Sequence, residues 1–357
     1  MDIAQIQTIS QNFTTQLEFA ENGSPSSLAF IKNTIPSSPH IKTGETFQIM
    51  SIGGTIYVKA LVRKGDTGIG ILSLERGNIP QFTTKNIFLN FIADHTDPNV
   101  PFLAMNFAYP LLPTFINEKL DGIMQAGSKE YAFLGLVGKQ VGQTIEEFIF
   151  AKTKHAITVS IANDTICLLL STLTQKDPNI QFAAGIIGTG INFALFLDNT
   201  TLVNLEAGDF KEFIQSREGA RIDAASIEPG AHLFEKEVAG AYLYKHFNLL
   251  AAEKGLSITP LLNSTDLTSL AQTQTQGIGD LATEVLAHSA RLAAGVIAGI
   301  ANYKKSDMTF VMQGSLFWEG YHYKETIQQT LPLLTPHSIS FIKVEHADIL
   351  GAAKLLA

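Results

Sequence analysis

The chain has 357 residues, 45% of them hydrophobic and 16% charged, with a formal net charge of -8 and one cysteine. That length favours two cores over one, and the apolar content excludes extended disorder. The acidic balance argues against a nucleic-acid surface, which needs clustered Lys and Arg, and the lone Cys167 excludes an internal disulfide or a cysteine-based zinc site.

Ile3, Ile6, Ile9, Phe13 and Leu17 recur at helical spacing, so a helix is expected over about residues 1–20. This segment has no basic region and no apolar stretch of signal-peptide length, and no apolar run reaches a membrane span, so the expectation is a cytoplasmic chain that meets no membrane. A Ser- and Pro-rich loop spans 22–39. Three antiparallel strands are expected next, at 47–52, 57–63 and 68–74, joined by Gly53-Gly54-Thr55 and Lys64-Gly65-Asp66. Mixed material follows: a helix at 86–93, a strand at 102–107, a helix at 143–150 and a strand at 155–161. That last strand delivers Asn163-Asp164-Thr165 to an apolar helix beginning near Ile166.

From Phe182 a similar order returns. A strand ends at Ile187, Gly188-Thr189-Gly190 forms a turn, and strands are expected at 192–197 and 201–205. Helices are expected at 230–247, 278–303 and 317–330 and from 347 onward, with strands at 308–312 and 338–344. Two glycine turns, each between strands and each followed by α/β material, imply an internal duplication with two facing lobes and a cleft between them.

Several residues could carry chemistry, and each has a plainer reading. Gly53-Gly54-Thr55 and Gly188-Thr189-Gly190 serve either as hairpin turns or as places where main-chain N–H groups and a threonine hydroxyl approach phosphate. Asn163-Asp164-Thr165 is a helix N-cap pattern, and a carboxylate fixed there is also placed to accept a hydroxyl proton. Glu206 is either a solvated strand end or an acceptor for a polyol. Glu235, in Glu235-Lys236-Glu237, is either part of a charged helix face or a ligand group. Neither glycine turn has the dinucleotide-binding spacing followed by a helix, which argues against an NAD enzyme.

Taken in order, these segments resemble the hexokinases of the eukaryotic hexokinase and glucokinase type. The matching blocks are Ile52-Gly53-Gly54-Thr55, Phe107-Ala108-Tyr109-Pro110, Ser128-Lys129, Asn163-Asp164-Thr165, Gly188-Thr189-Gly190-Ile191-Asn192 and Asn204-Leu205-Glu206-Ala207-Gly208-Asp209-Phe210. Pro229-Gly230 with Phe234-Glu235-Lys236, Gly240-Ala241-Tyr242-Leu243, Ser289-Ala290-Arg291-Leu292 and Gln313-Gly314-Ser315 continue the series.

The resemblance implies a two-lobed α/β protein with the duplicated ribonuclease H-like, or actin-like ATPase, fold and an active-site cleft between the lobes. The expected small domain is 45–161 with the C-terminal helix 346–357, and the expected large domain is 1–44 with 162–345. The implied activity is transfer of the γ-phosphoryl group of ATP to the 6-hydroxyl of glucose or a related hexose, the first step of glycolytic carbohydrate phosphorylation. Asp164 would be the general base. Ser128, Lys129, Asn163, Asn192, Glu206 and Glu235 would hold the sugar, while Gly53, Gly54, Thr55, Gly188, Thr189, Gly190, Gly314 and Ser315 would face the nucleotide. Magnesium would arrive with ATP, and no direct protein ligand for it is identified. The departures fall mostly on the phosphate and metal side: Ser51 and Ile56 stand where the family carries Asp and Asn, Gln313 stands for an Asp, and, on the sugar side, Ala108 stands for a sugar-contacting Ser. A hexokinase-like sugar sensor that turns over little or nothing is the alternative these departures leave.

Overall fold

The computed structural model describes residues 2–127, 131–174, 181–273 and 275–357. In chain order, helix α1 (Ile3–Glu21) precedes strands β1 (Ile31–Thr34), β2 (Thr46–Ile52), β3 (Ile56–Lys64) and β4 (Ile69–Asn78). Helix α2 (Lys85–His95), strands β5 (Phe102–Phe107), β6 (Leu111–Ile116) and β7 (Lys119–Met124), helix α3 (Val141–Thr153), strand β8 (Thr158–Ala162) and helix α4 (Asp164–Leu170) follow. The remaining strands are β9 (Gln181–Ile187), β10 (Ile191–Phe196), β11 (Thr201–Asn204), β12 (Met308–Gln313) and β13 (Ile339–Ile342). Between and after these lie helices α5 (Arg217–Ala224), α6 (Leu233–Val238), α7 (Gly240–Glu253), α8 (Ser264–Gln272), α9 (Ile278–Lys304), α10 (Ser315–Glu319), α11 (Tyr323–Thr330) and α12 (Ala347–Ala353).

The chain divides into two units. One comprises Met1–Phe30, Pro178–Phe193 and Leu205–Lys343; the other comprises Ile31–Asp177, Ala194–Asn204 and Val344–Ala357, so the division falls within β10. The Ile31 unit is built on a sheet of order β4-β3-β2-β5-β8, in which β2, β5 and β8 run parallel. Register places Ser51 beside Asn106 and Asn106 beside Ala162, so the three parallel strands end at one level. Ligands gather at such carboxyl ends in open α/β sheets. An aromatic cluster fills one face of this sheet: Phe82, Phe88, Phe107, Tyr109 and Phe133 are all buried, and Phe82 meets Phe88 edge-on at 5.3 Å. Asp121, buried within β7, accepts from the N–H groups of Gly142 and Gln143 at 2.7 and 2.9 Å and so caps α3 from a distance.

In the Met1 unit, β12 lies between β9 and β13 with both pairs parallel. Helix α9 runs 27 residues and is buried over most of its length. Helix α1 lies close against it, because Gly295 and Gly299 let the side chains of Ile9 and Phe13 approach the α9 backbone. Phe13 then meets Phe210 edge-on at 5.1 Å, which ties α1 to the turn that carries Glu206.

Most expected elements are present, with differences that have local causes. The β6–β7 hairpin was not expected. Its turn puts Asn117 and Glu118 at φ 53° and 58°, the left-handed pair a two-residue hairpin needs, but without the glycine that usually signals it. Strand β1 and helices α5 and α8 were also not expected. The helix expected at 230–247 is two, broken at Ala239, whose ψ of 149° is extended. The helix expected at 317–330 is likewise broken, at Gly320–His322. Finally, α9 is long and apolar enough to cross a membrane, contrary to the reading of its sequence; 78% of its most apolar stretch is buried, so its hydropathy is that of a core helix.

Candidate active site

The Met1 unit brings the residues of five motifs to one place. Strand β9 ends at Ile187 and delivers Gly188-Thr189-Gly190, with the Gly188 N–H donating to the Gly190 carbonyl at 3.0 Å. The N-terminus of α7 closes on this turn: the Gly240 N–H donates to the Gly188 carbonyl at 2.8 Å and that of Ala241 to Thr189 at 3.1 Å. Gly314, between β12 and α10, has φ 112°, where a Cβ would overlap the Ile187 carbonyl. Only glycine lets the β12 strand end lie against the β9 strand end here. A cavity of about 430 Å³ opens on the same turn, bordered by Thr189, Gly240, Tyr244, Asn263, Thr265 and Ser315 among others. Thr189 and Ser315 are exposed.

Beside the turn, the Asn192 side-chain oxygen accepts from the N–H groups of Phe193 at 2.7 Å and Ala207 at 3.3 Å, which fixes the Glu206 turn to β10. Glu206 has left-handed backbone angles, φ 47° and ψ 53°, uncommon for a residue with a Cβ and characteristic of functional loops. Glu235, in the first turn of α6, accepts from the Ile191 N–H at 3.2 Å. Its carboxylate fits because position 190 is glycine: a Cβ there would stand 2.7 Å from its Oε2. Gly208 packs on the same glutamate. Asn192, Glu206 and Glu235 are all half-buried, so each carboxylate and the amide can meet both protein and ligand.

In the Ile31 unit, Asn163 caps α4, its oxygen accepting from the Thr165 N–H at 3.0 Å. Asp164 is the first residue of the helix, and its Oδ1 also accepts from that N–H, at 2.8 Å. Both the cap and the accessible carboxylate are therefore present, with Asp164 half-buried at the end of β8. The turn Gly53-Gly54-Thr55 joins β2 to β3, and the Tyr109 hydroxyl donates to the Gly53 carbonyl at 3.2 Å. Burial raises the Tyr109 phenol far above its ordinary pKa, which keeps it a neutral donor. Ser128 and Lys129 lie outside the described residues.

Sequence reasoning did not single out Asn106, which stands beside Ser51 across β5 and β2. Its Nδ2 donates to Ser51 Oγ at 3.1 Å, and its Oδ1 is buried with no hydrogen-bond partner among the described residues. Ser51 is 8% exposed and Asn106 6%. Only the pairing of two strands that are not consecutive in the sequence brings them together. A larger cavity, about 540 Å³, lies along α1, the segment 211–216 and His288, and contains none of the motif residues.

No family model matches the chain. In sequence it is similar to Hexokinase-2 of Candida albicans, 23% identical over 286 residues that cover 70% of this chain and 58% of that protein. It is also similar to Hexokinase-3 of Mus musculus, 23% identical over 409 residues, which cover 94% of this chain and 43% of that protein. The chain thus spans about half the length of these relatives. In fold it matches a hexokinase crystal structure with a TM-score of 0.82 at 18% identity, covering 99% of this chain and 96% of that one. It matches the hexokinase of Schistosoma mansoni complexed with glucose at TM-score 0.80 and 18% identity, covering 100% and 95%. A hexokinase of the ROK group from Thermus thermophilus matches at TM-score 0.60 and 15% identity, over 87% and 97%.

The chain therefore has the actin-like ATPase fold of the sugar kinases. Within that class both comparisons point to the hexokinases, which bears out the family resemblance carried by the motifs.

Proposed function

We propose that this chain is an ATP-dependent hexose kinase, transferring the γ-phosphoryl group to the 6-hydroxyl of glucose or a related hexose. The observation that carries the reading is the assembly in one unit of Asn192, Glu206 and Glu235 around the glycine turn that presents Thr189. Carboxylates accept hydrogen bonds without donating them, so two of them beside an amide suit a ligand rich in hydroxyl donors. The turn offers main-chain N–H groups and a hydroxyl to phosphate, and Ser315, brought close to Gly188 by Gly314, adds a second hydroxyl at the same cavity.

In this reading Asp164, held at a helix start, takes the proton of the sugar 6-hydroxyl as that oxygen attacks phosphorus. Asn163 would share in holding the hydroxyls, as would Ser128 and Lys129, and Gly53, Gly54 and Thr55 would face the nucleotide. Magnesium bound to ATP would neutralise phosphate charge. The residues present fit a cation held through its water shell: the buried Asn106 Oδ1 has no donor among the described residues, and Ser51 Oγ accepts from Nδ2 of the same amide. The reaction belongs in the cytoplasm, where ATP and free hexose meet.

A coupled assay of ATP-dependent phosphorylation over glucose, fructose, mannose and N-acetylglucosamine tests the proposal, with Asp164→Ala beside the wild type. Turnover by the wild type and a loss of roughly 10²- to 10⁴-fold in the variant are expected. An equal rate in both would remove Asp164 from its role. No wild-type turnover, with glucose still raising the melting temperature, would make the chain a sugar-binding regulator instead.

A further inference from the structure

His232 belongs to no motif used so far, yet it joins the two segments that carry the acidic sugar-side residues. It is the N-cap of α6, with left-handed backbone angles φ 50° and ψ 43°, three residues ahead of Glu235. Its Nδ1 lies 2.7 Å from Oδ1 of Asp209, which closes the short turn opened by Glu206. Its Nε2 faces Glu228 at 3.9 Å, and Glu235 also lies within its field. The charged and titratable groups around it are Asp209, Glu228 and Glu235, with Lys211 acting on Asp209 and with Tyr242 within the field of Glu228 and Glu235. Three carboxylates thus surround one imidazole, and its 49% exposed side chain leaves it free to exchange its proton with solvent.

We propose that His232 is a positioning residue for the hexose: in its protonated form it clamps Asp209 and so locks the Glu206 turn onto the first turn of α6, holding Glu206 and Glu235 at the spacing the sugar requires. The inference rests on the hexose-kinase reading. The hydrogen bond to Asp209 raises the His232 pKa, despite an opposing contribution from burial. Burial pushes the Asp209 carboxyl up, but the His232 hydrogen bond and charge outweigh it and leave it lowered. The two shifts agree in direction, each partner favouring the charged form of the other.

The sign follows from the His232 shift. Its contribution is complete below the ordinary histidine value of about 6.5 and is lost as pH rises through the raised value in the folded protein. Above that pH, Nδ1–H can still donate to the Asp209 carboxylate, but the pair loses the attraction between two opposite charges. The surrounding carboxylates then repel one another without an intervening cation.

Isothermal titration of glucose from pH 5.5 to 8.5 tests this with wild type, His232→Gln and Asp209→Asn, each first shown by thermal melting to be folded. Wild-type Kd is expected to rise about three- to tenfold across the range. His232→Gln keeps a donor but cannot titrate, so its Kd should be flat with pH and close to the high-pH wild-type value. Asp209→Asn should shift the midpoint down toward that of an unpaired histidine. In turnover, the change should fall on KM for hexose, with kcat held. A His232→Gln protein that binds glucose with the wild-type pH slope overturns the inference and leaves the hexose reading standing. Folded wild type that binds no glucose at any pH overturns both.

Discussion

In the proposed kinase, Ser51 is the residue on which the phosphate side turns. The family resemblance implies a carboxylate there, and the structure shows why a neutral side chain is tolerated: Ser51 is buried against Asn106, whose amide satisfies the hydroxyl. A lone carboxylate in the same place would carry a desolvation cost unless a cation offset it. Ser51→Asp is therefore expected to lower the melting temperature in EDTA and to tighten Mn²⁺ binding to the nucleotide-loaded protein about tenfold, equivalent to ~1.4 kcal/mol. Electron paramagnetic resonance of bound Mn²⁺ reads this without relying on turnover. Unchanged Mn²⁺ affinity would remove this position from the metal's surroundings. Asp164 by contrast has a placement legible from its neighbours alone, since Asn163-Asp164-Thr165 before an apolar run puts the carboxylate at a helix start.

Among the elements, α4 shows how packing fixes Asp164, the residue proposed as the general base. Its residues from Thr165 to Leu170 are all buried, and α12 lies across it. Contact is so close at Gly351 that a Cβ would overlap the Cys167 carbonyl. Cys167 itself is buried, and burial raises its thiol far above the ordinary range, so it acts as a packing residue without reactive thiolate. Gly351→Ala is expected to force α12 outward and destabilise the Ile31 unit by about 1–3 kcal/mol, measurable by urea denaturation. Because α4 begins with Asp164, turnover should fall while glucose binding by the unit that holds Glu206 and Glu235 is retained. If urea stability is unchanged, the proposed close contact does not constrain the helix. Element boundaries were readable where one pattern ran without interruption, as in β2, β5 and α9. They were not readable where a long apparent helix hid a break, as at Ala239, because an extended residue between two helical periods leaves both periods intact in the sequence.

For the whole molecule, ligand binding and stability are linked. Anything that binds only the folded state stabilises it, by about 2.7 kcal/mol at 100 times Kd. Glucose at that excess should raise the melting temperature of the wild type and of Asp164→Ala alike, whereas Glu235→Ala should lose most of the rise. A full shift in Glu235→Ala would exclude that carboxylate from the hexose site. Much of this organisation was legible in the chain: the glycine turns and the Asn163-Asp164 cap are local consequences of residue type, and the order of motifs carried the family resemblance that implied the fold class. The Ser51–Asn106 pair, the His232–Asp209 clamp and the Gly351 contact were not, since each joins residues far apart in sequence through strand register or helix packing. Local propensity thus determined which residue types were available for chemistry. Tertiary structure alone decided which of them touch, because distance, burial and charge neighbours arise only when separate elements pack.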